Sequence, residues 1–254
     1  MTAVPQAAVA TGAVMFARYA FAPNDLGFCG PAGSTALRSG TEAEIRAAAR
    51  RFSGAWPYLQ VLARLAGVAD PLDEQVVASY WHGGGVGARV DPREFGAELL
   101  AVIGPQAGPY WAHLTDDLLD EAAPDHAFHV FGVYPWTRLL GRGMDEQPMH
   151  VLDSCRIGWG TVVDPGEETA RVETRPLVLA DGVPALGAPE VRTVAVEHEG
   201  HARVPDLAEG DLVALHWGRI CDRLTPEQVG DLERSTARQL AATAARLRRT
   251  RDGS

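Results

Sequence analysis

Apolar residues recur at helical spacing through roughly the first 145 positions, then give way after residue 150 to short β-branched runs between turn formers. Thr41 and Glu44 stand at the spacing of a capping box, and Ile45, Ala48, Ala49 and Phe52 mark one helical face behind them. Pro57 suits the first turn of a second helix, with Leu59, Leu62, Ala63 and Ala66 following and Gly67 as its stop. Asp70-Pro71 and Asp91-Pro92 both read as a cap followed by a proline start. The first leads into Val76, Val77, Tyr80 and Trp81. The second, with Glu94 as box partner, leads into Phe95, Leu99, Val102 and Ile103. Thr115 to Glu121 is a further short helical stretch, and no internal repeat underlies these starts.

Gly141-Arg142-Gly143 through Pro148 reads as a linker. Beyond it, Val151–Ile157, Gly160–Val163, Ala170–Leu179, Val191–Glu197 and Leu212–Cys221 read as strands. Asp164-Pro165-Gly166, Asp181-Gly182 and Glu209-Gly210-Asp211 separate them. Short strands punctuated in this way suggest a small barrel. Thr225-Pro226-Glu227-Gln228 then opens a last helix, with Val229, Leu232, Thr236, Leu240 and Leu247 as its expected inner face. The expected fold is α+β: a mostly helical domain over 1–145, followed over 150–254 by a small barrel with a C-terminal helix.

Composition narrows the function classes. The 254 residues are 46% hydrophobic, enough for a substantial core. A net charge of -10 argues against non-specific nucleic-acid binding, and all 23 basic residues are arginine. The three cysteines, Cys29, Cys155 and Cys221, are widely spaced with no CxxC, which points away from a disulfide framework and toward a reducing, cytoplasmic setting. Met1 to Ala22 lacks a basic leader and is interrupted by Arg18, so neither a signal peptide nor a membrane span is expected. Neither nucleic acid nor membrane is an expected partner.

Two groups of residues can carry chemistry. Cys155 lies in Val151-Leu-Asp-Ser-Cys155-Arg-Ile-Gly-Trp-Gly160, and His216 in Gly210-Asp-Leu-Val-Ala-Leu-His216-Trp-Gly218. A thiolate with a neutral imidazole suits ferrous iron or another soft-to-borderline metal, and two protein ligands leave positions open for exchange. A buried structural cysteine and a hydrogen-bonded core histidine would read the same way. Cys29, His126 and His129 form a weaker second candidate. The histidines stand three apart, so a helix would put both on one face, and turn formers surround Cys29. His198-Glu199-Gly200-His201 lacks the spacing of a helical zinc motif, and Gly83-Gly84-Gly85 lacks the flanks of a phosphate loop.

The segment from Cys155 through Gly158-Trp159-Gly160-Thr-Val-Val163, and that from Leu207 through His216-Trp-Gly218 to Thr225-Pro-Glu-Gln228, together resemble the HypC family of [NiFe]-hydrogenase maturation chaperones. The resemblance spans about 151 to 240. It implies an OB-like barrel with a C-terminal helix, and an iron cofactor or cargo carried as an Fe(CN)2CO group. It also implies a HypD-like scaffold or a hydrogenase large subunit as partner. Cys155 would be the iron ligand and His216 the second iron-associated residue. The family's cysteine lies at the extreme N-terminus, whereas Cys155 is internal and is expected to enter from a linker. The function so implied is a hydrogenase maturation accessory protein, a chaperone or group carrier and not an enzyme. One alternative is a metal- or thiol-dependent enzyme working through Cys29, His126 and His129 with the barrel as a docking module. The other is a hydrogenase-subunit-binding protein that holds no metal.

Overall fold

The computed structural model describes residues 11–33, 35–106, 111–198, 201–202 and 204–252. Its helices are α1 (Gly12–Asp25), α2 (Ala36–Ser39), α3 (Glu42–Ala49), α4 (Trp56–Leu65), α5 (Glu74–His82), α6 (Pro92–Ile103), the single turn α7 (His126–Phe128), α8 (Glu146–Cys155) and α9 (Pro226–Asp252). Between α8 and α9 run β1 (Gly158–Asp164), β2 (Thr169–Thr174), β3 (Leu177–Ala180), β4 (Val183–Leu186), β5 (Glu190–Ala195), β6 (Glu197–His198), β7 (His201–Ala202), β8 (Leu212–His216) and β9 (Arg219–Arg223). The architecture is mixed α and β, with helices first, strands after and a long C-terminal helix.

Local chemistry accounts for most helix starts. Thr41 and Glu44 form the full capping box of α3, and Thr225 with Gln228 forms that of α9. Asp91 accepts from the Glu94 N–H at 2.8 Å to cap α6. Asp70 caps no helix. Its carboxylate accepts from the Leu72 N–H and the Arg46 guanidinium, and Asp73, three residues on, is the N-cap of α5. Gly67, in the left-handed region at φ 71°, ends α4 where the pattern predicts.

Helix α1 is buried on nearly every side, which is why no amphipathic stripe reveals it. Gly12 lets it approach the chain before α5 so closely that a Cβ would stand 2.2 Å from the Leu72 carbonyl oxygen. The stretch Val151–Ile157, expected as a strand, is instead the end of α8 plus a short exit. The cysteine therefore leaves a helix C-terminus, not a linker. Its β-branched and apolar residues are accommodated because Val151, Leu152 and Cys155 occupy one buried helical face.

β1 pairs antiparallel with β2 and with β8, β2 pairs with β5, and β8 pairs with β9. Among the described residues β5 meets β9 through one parallel pair, Ala195 with Arg219, with the Ala195 N–H donating to the Gly218 carbonyl at 2.9 Å. β3 and β4 form a separate hairpin. The expected run Ala170–Leu179 is broken into β2 and β3, and β2 alternates, with Ala170 and Val172 inward and Arg171 and Glu173 outward. β8 does not alternate, because both its faces are covered. Val213 and Leu215 enter the sheet's own cluster with Val162, Val172 and Val194, while Ala214 joins the core of the helical half.

That second core crosses the expected boundary. Ile157, Ala214, Cys221, Leu224 and Leu232 pack in one cluster with Phe16, Tyr19, Tyr80 and Trp81. Helix α9, about 40 Å long at 1.5 Å per residue, runs against both parts. Its most buried positions are Leu232 and Thr236, both on the expected face, together with Gln239 and Thr243, while Val229, Leu240 and Leu247 are half-buried, so the inner face is more polar than expected. The reason is a hydrogen-bonded seam. Gln239 donates to the Glu121 carbonyl and Arg238 to that of Ala122. Arg246 pairs with the buried Glu121 carboxylate and donates to the Phe131 carbonyl. Breaking such a buried pair from one side costs about 3–5 kcal/mol, since it strands a charge. No helix among the described residues is long and apolar enough to cross a membrane.

Candidate metal centre

Cys155, His216 and His126 converge at the seam between helices and sheet, and one ligand atom from each lies within 4.8 Å of the other two. All three are at least nine-tenths buried. Each arrives on a differently anchored element. Cys155 is the last residue of α8. There the neighbouring Asp153 carboxylate accepts from the Leu177 N–H at 2.8 Å, from Arg156, and from Arg192 at 2.8 Å, which ties the helix end to the strands. His126 opens the turn that Asp125 caps. Asp125 accepts from the Phe128 N–H at 3.0 Å and from the Ser235 hydroxyl at 2.8 Å, which fastens that turn to α9. His216 ends β8, immediately before the two-residue turn Trp217-Gly218.

The hydrogen bonds assign the ring nitrogens. His216 Nδ1 lies 2.7 Å from the Tyr19 carbonyl, which can only accept, so Nδ1 carries the proton and Nε2 the lone pair. That Nε2 is buried near the Cys155 carbonyl and makes no well-formed hydrogen bond. Leaving such an atom unsatisfied costs about 1–3 kcal/mol, and a metal on Nε2 with a carbonyl behind Nδ1 is the arrangement that orients histidine ligands. His126 is satisfied at both nitrogens, by the Tyr80 hydroxyl at 3.1 Å and the Cys155 carbonyl at 2.9 Å. A metal on His126 would replace one of these bonds. Tetrahedral nitrogen and sulfur ligands at their usual metal distances stand about 3.3–3.8 Å apart, so the three atoms need to close by about 1.5 Å or less.

The same cavity, about 220 Å³, is also lined by Cys29 and His129. The two candidate groups read from the sequence therefore belong to one place. His129 begins a π-helical turn, His129–Val133, that continues α7, and its ring lies against that of His126 with centroids 5.6 Å apart. Aromatic rings, among them Trp81, Trp111 and Trp136, form much of the wall. Phe28 stacks on Trp217 at 3.9 Å between centroids. Trp217 sits at φ 52°, a left-handed position that costs a non-glycine residue about 1–3 kcal/mol, and its N–H donates to the Ser154 carbonyl, one residue before Cys155.

Burial governs the protonation states. It pushes His216 down to about 4 and His129 to about 3, and it lowers His126 as well, with help from the charges His216 and His129 would carry. All three are neutral lone-pair donors at neutral pH. Burial raises the Cys155 thiol far above its ordinary value, and it raises Cys29 to about 11, although the Gly30 N–H and the Tyr134 hydroxyl favour the Cys29 thiolate. A thiolate at Cys155 therefore needs a cation beside it.

The model of a family of unknown function, DUF6390, matches residues 8–250. The chain belongs to the DUF6390 family. No curated protein and no solved structure matches it. The DUF6390 match runs unbroken across the helices and the sheet, so every residue lining the cavity falls within it. Cys221, expected to be a buried strand residue, lies within β9 and outside this cavity. Sequence reading passed over Trp217, Tyr134 and the Tyr19 carbonyl. Tryptophan at a turn position that normally favours Gly, Asn or Asp is the one local oddity that marks the site.

Proposed function

We propose that this protein holds a thiophilic metal ion or metal group at the seam, through Cys155, His216 and His126, as an accessory protein of metalloprotein assembly. The observation that carries the reading is that His216, whose buried Nε2 makes no well-formed hydrogen bond, brings a ligand atom within 4.8 Å of those of Cys155 and His126. The donor set fits iron: a strongly donating thiolate with neutral imidazoles suits a low-spin ferrous centre, and three protein ligands leave positions for others. The cavity is larger than a bare ion needs, which leaves room for small ligands on the metal. On the resemblance to the HypC chaperones, the group is iron carrying cyanide and carbon monoxide, and the partner is a HypD-like scaffold or a hydrogenase large subunit. The ring of pairings β1–β2–β5–β9–β8 and the terminal helix support reading the sheet as an OB-like barrel.

A second reading, a thiol- or metal-dependent enzyme, is favoured by Cys29 and His129 lining the same cavity. Anaerobic purification from a hydrogenase-producing host, with metal analysis and infrared spectroscopy, separates the two. Stoichiometric iron with cyanide and carbonyl bands, both lost in Cys155→Ala, is the expected result. Metal without those bands favours the enzyme. A folded protein that retains no metal and takes up none overturns the metal centre and leaves a metal-free hydrogenase-subunit binder.

A further inference from the structure

Cys155 is deep in the cavity, and a metal has to reach it. Cys29 stands at a different level: it is half-buried, while Cys155 is 8% exposed. The loop that carries Cys29 is held in shape. The Asn24 side chain donates to the Cys29 carbonyl and to the Pro31 carbonyl, both at 2.8 Å, and Gly30, at φ 79°, is pressed onto the Phe52 ring with no room for a Cβ. The Tyr134 hydroxyl lies close enough to the Cys29 sulfur to favour its thiolate, and the Tyr134 ring packs against that of His129 at 4.3 Å. One tyrosine thus lies against both groups. His129 is 4% exposed, and its Nδ1 has no hydrogen-bond partner. A buried orphan nitrogen calls for an explanation, and none of the protein's own groups supplies one.

We propose that Cys29 and His129 form an outer metal-holding position in this cavity, a loading step through which a divalent thiophilic ion passes to Cys155, His216 and His126. This inference rests on the metal reading of the inner trio. Two protein ligands hold a metal weakly and let it go. Three hold it more firmly, so the free energy runs inward. Each thiol gives up a proton as it takes the metal, and the Cys29 sulfur recovers one as the ion leaves, so the transfer involves no redox change. Thiolates at Cys29 and Cys155 would repel one another across the cavity, and a cation between them would offset that repulsion.

Stopped-flow mixing of the metal-free protein with cobalt(II) under anaerobic conditions tests the proposal, with the thiolate-to-cobalt absorption as readout. In Cys29→Ala the final absorption of the inner site persists while its rate of appearance drops about tenfold or more, the scale of effect seen when a group supporting a metal site is lost. His129→Gln, which keeps a buried polar side chain, slows loading in the same sense. Cys155→Ala shows a fast, weak signal that saturates only at higher cobalt. Unchanged loading rates in both Cys29→Ala and His129→Gln, with cobalt still bound, overturn the outer position and leave the inner site standing. A wild-type protein that takes up no cobalt overturns both.

Discussion

The helical half and the sheet half have different interiors. The largest fully buried side chains among the described residues, including Tyr19, Tyr58, Tyr80, Phe16, Phe52, Phe95 and Phe128, all belong to the helical half, whereas the sheet's own cluster is built from Val162, Val172, Val194, Val213, Leu215 and Ile220. Valines on a pleated surface interlock and close the space between strands. Rigid rings with few torsions can wall a cavity without collapsing into it. The cavity accordingly lies on the aromatic side, and the strand side supplies one ligand, His216, from the last residue of β8. Chemistry at the seam therefore depends on both halves being present and docked.

The strongest way to break this comparison is to separate the halves. A fragment of residues 150–254 loses the cover over Ile157, Ala214, Cys221, Leu224 and Leu232. Burying side chains of this size contributes on the order of 1.5–3 kcal/mol each for the larger ones, which is comparable to the whole stability of a small domain. The expected result is a fragment with no cooperative thermal transition. A sharp transition would mean that the sheet and its helix fold alone.

Acid should distinguish the halves next. Four histidines are held neutral by burial, and His82, His126 and His129 lie on helical elements against His216 alone on a strand. Their folded-state values lie below the ordinary 6.5, at about 4 for His82 and His216. The unfolded chain therefore takes up protons first as pH falls. The stabilisation is complete above 6.5 and is lost as pH drops from there toward 4. The slope is up to about 1.4 kcal/mol per pH unit for each histidine. Urea unfolding of the metal-free protein at pH 7.5 and at pH 5.5 should show a large loss, smaller in His82→Phe. A flat profile would show that these rings are hydrated.

The smallest effect is expected at the turn that joins the site to the strands. Trp217→Asn relieves a left-handed tryptophan, a gain of about 1–2 kcal/mol, and removes the stack on Phe28, a loss of about 0.5–1.5 kcal/mol. The two nearly cancel, so the melting temperature should move by no more than a few degrees while the cavity opens and metal exchange speeds up. A large destabilisation would show that Trp217 is a packing residue first.

Much of the fold was legible because its signals are local. Thr41 with Glu44, Asp91 ahead of Pro92, and Thr225 with Gln228 lie within one helical turn of what they cap, and the alternation of β2 needs only adjacent residues. The misreadings came where local pattern is ambiguous. Val151-Leu152 suits a strand or a buried helix face, and packing chose the helix. Asp70-Pro71 resembles a helix start, but its carboxylate was claimed by Arg46 and by its own turn.

The candidate residues themselves were readable as types: Cys155 and His216 as one group, Cys29, His126 and His129 as another. Their meeting was not. Tyr19 and His216 are 197 positions apart, yet one hydrogen bond between them sets which nitrogen faces the cavity. The sequence by itself determined where the capped helices α3, α6 and α9 begin, where strands turn and which donors are available. Only the tertiary structure decided that two groups share one cavity, that His126 stands with Cys155 and His216, and that a nitrogen is left without a well-formed hydrogen bond. Propensity and capping act over a few residues, whereas distances between remote side chains are set by how α1, α8 and β8 pack.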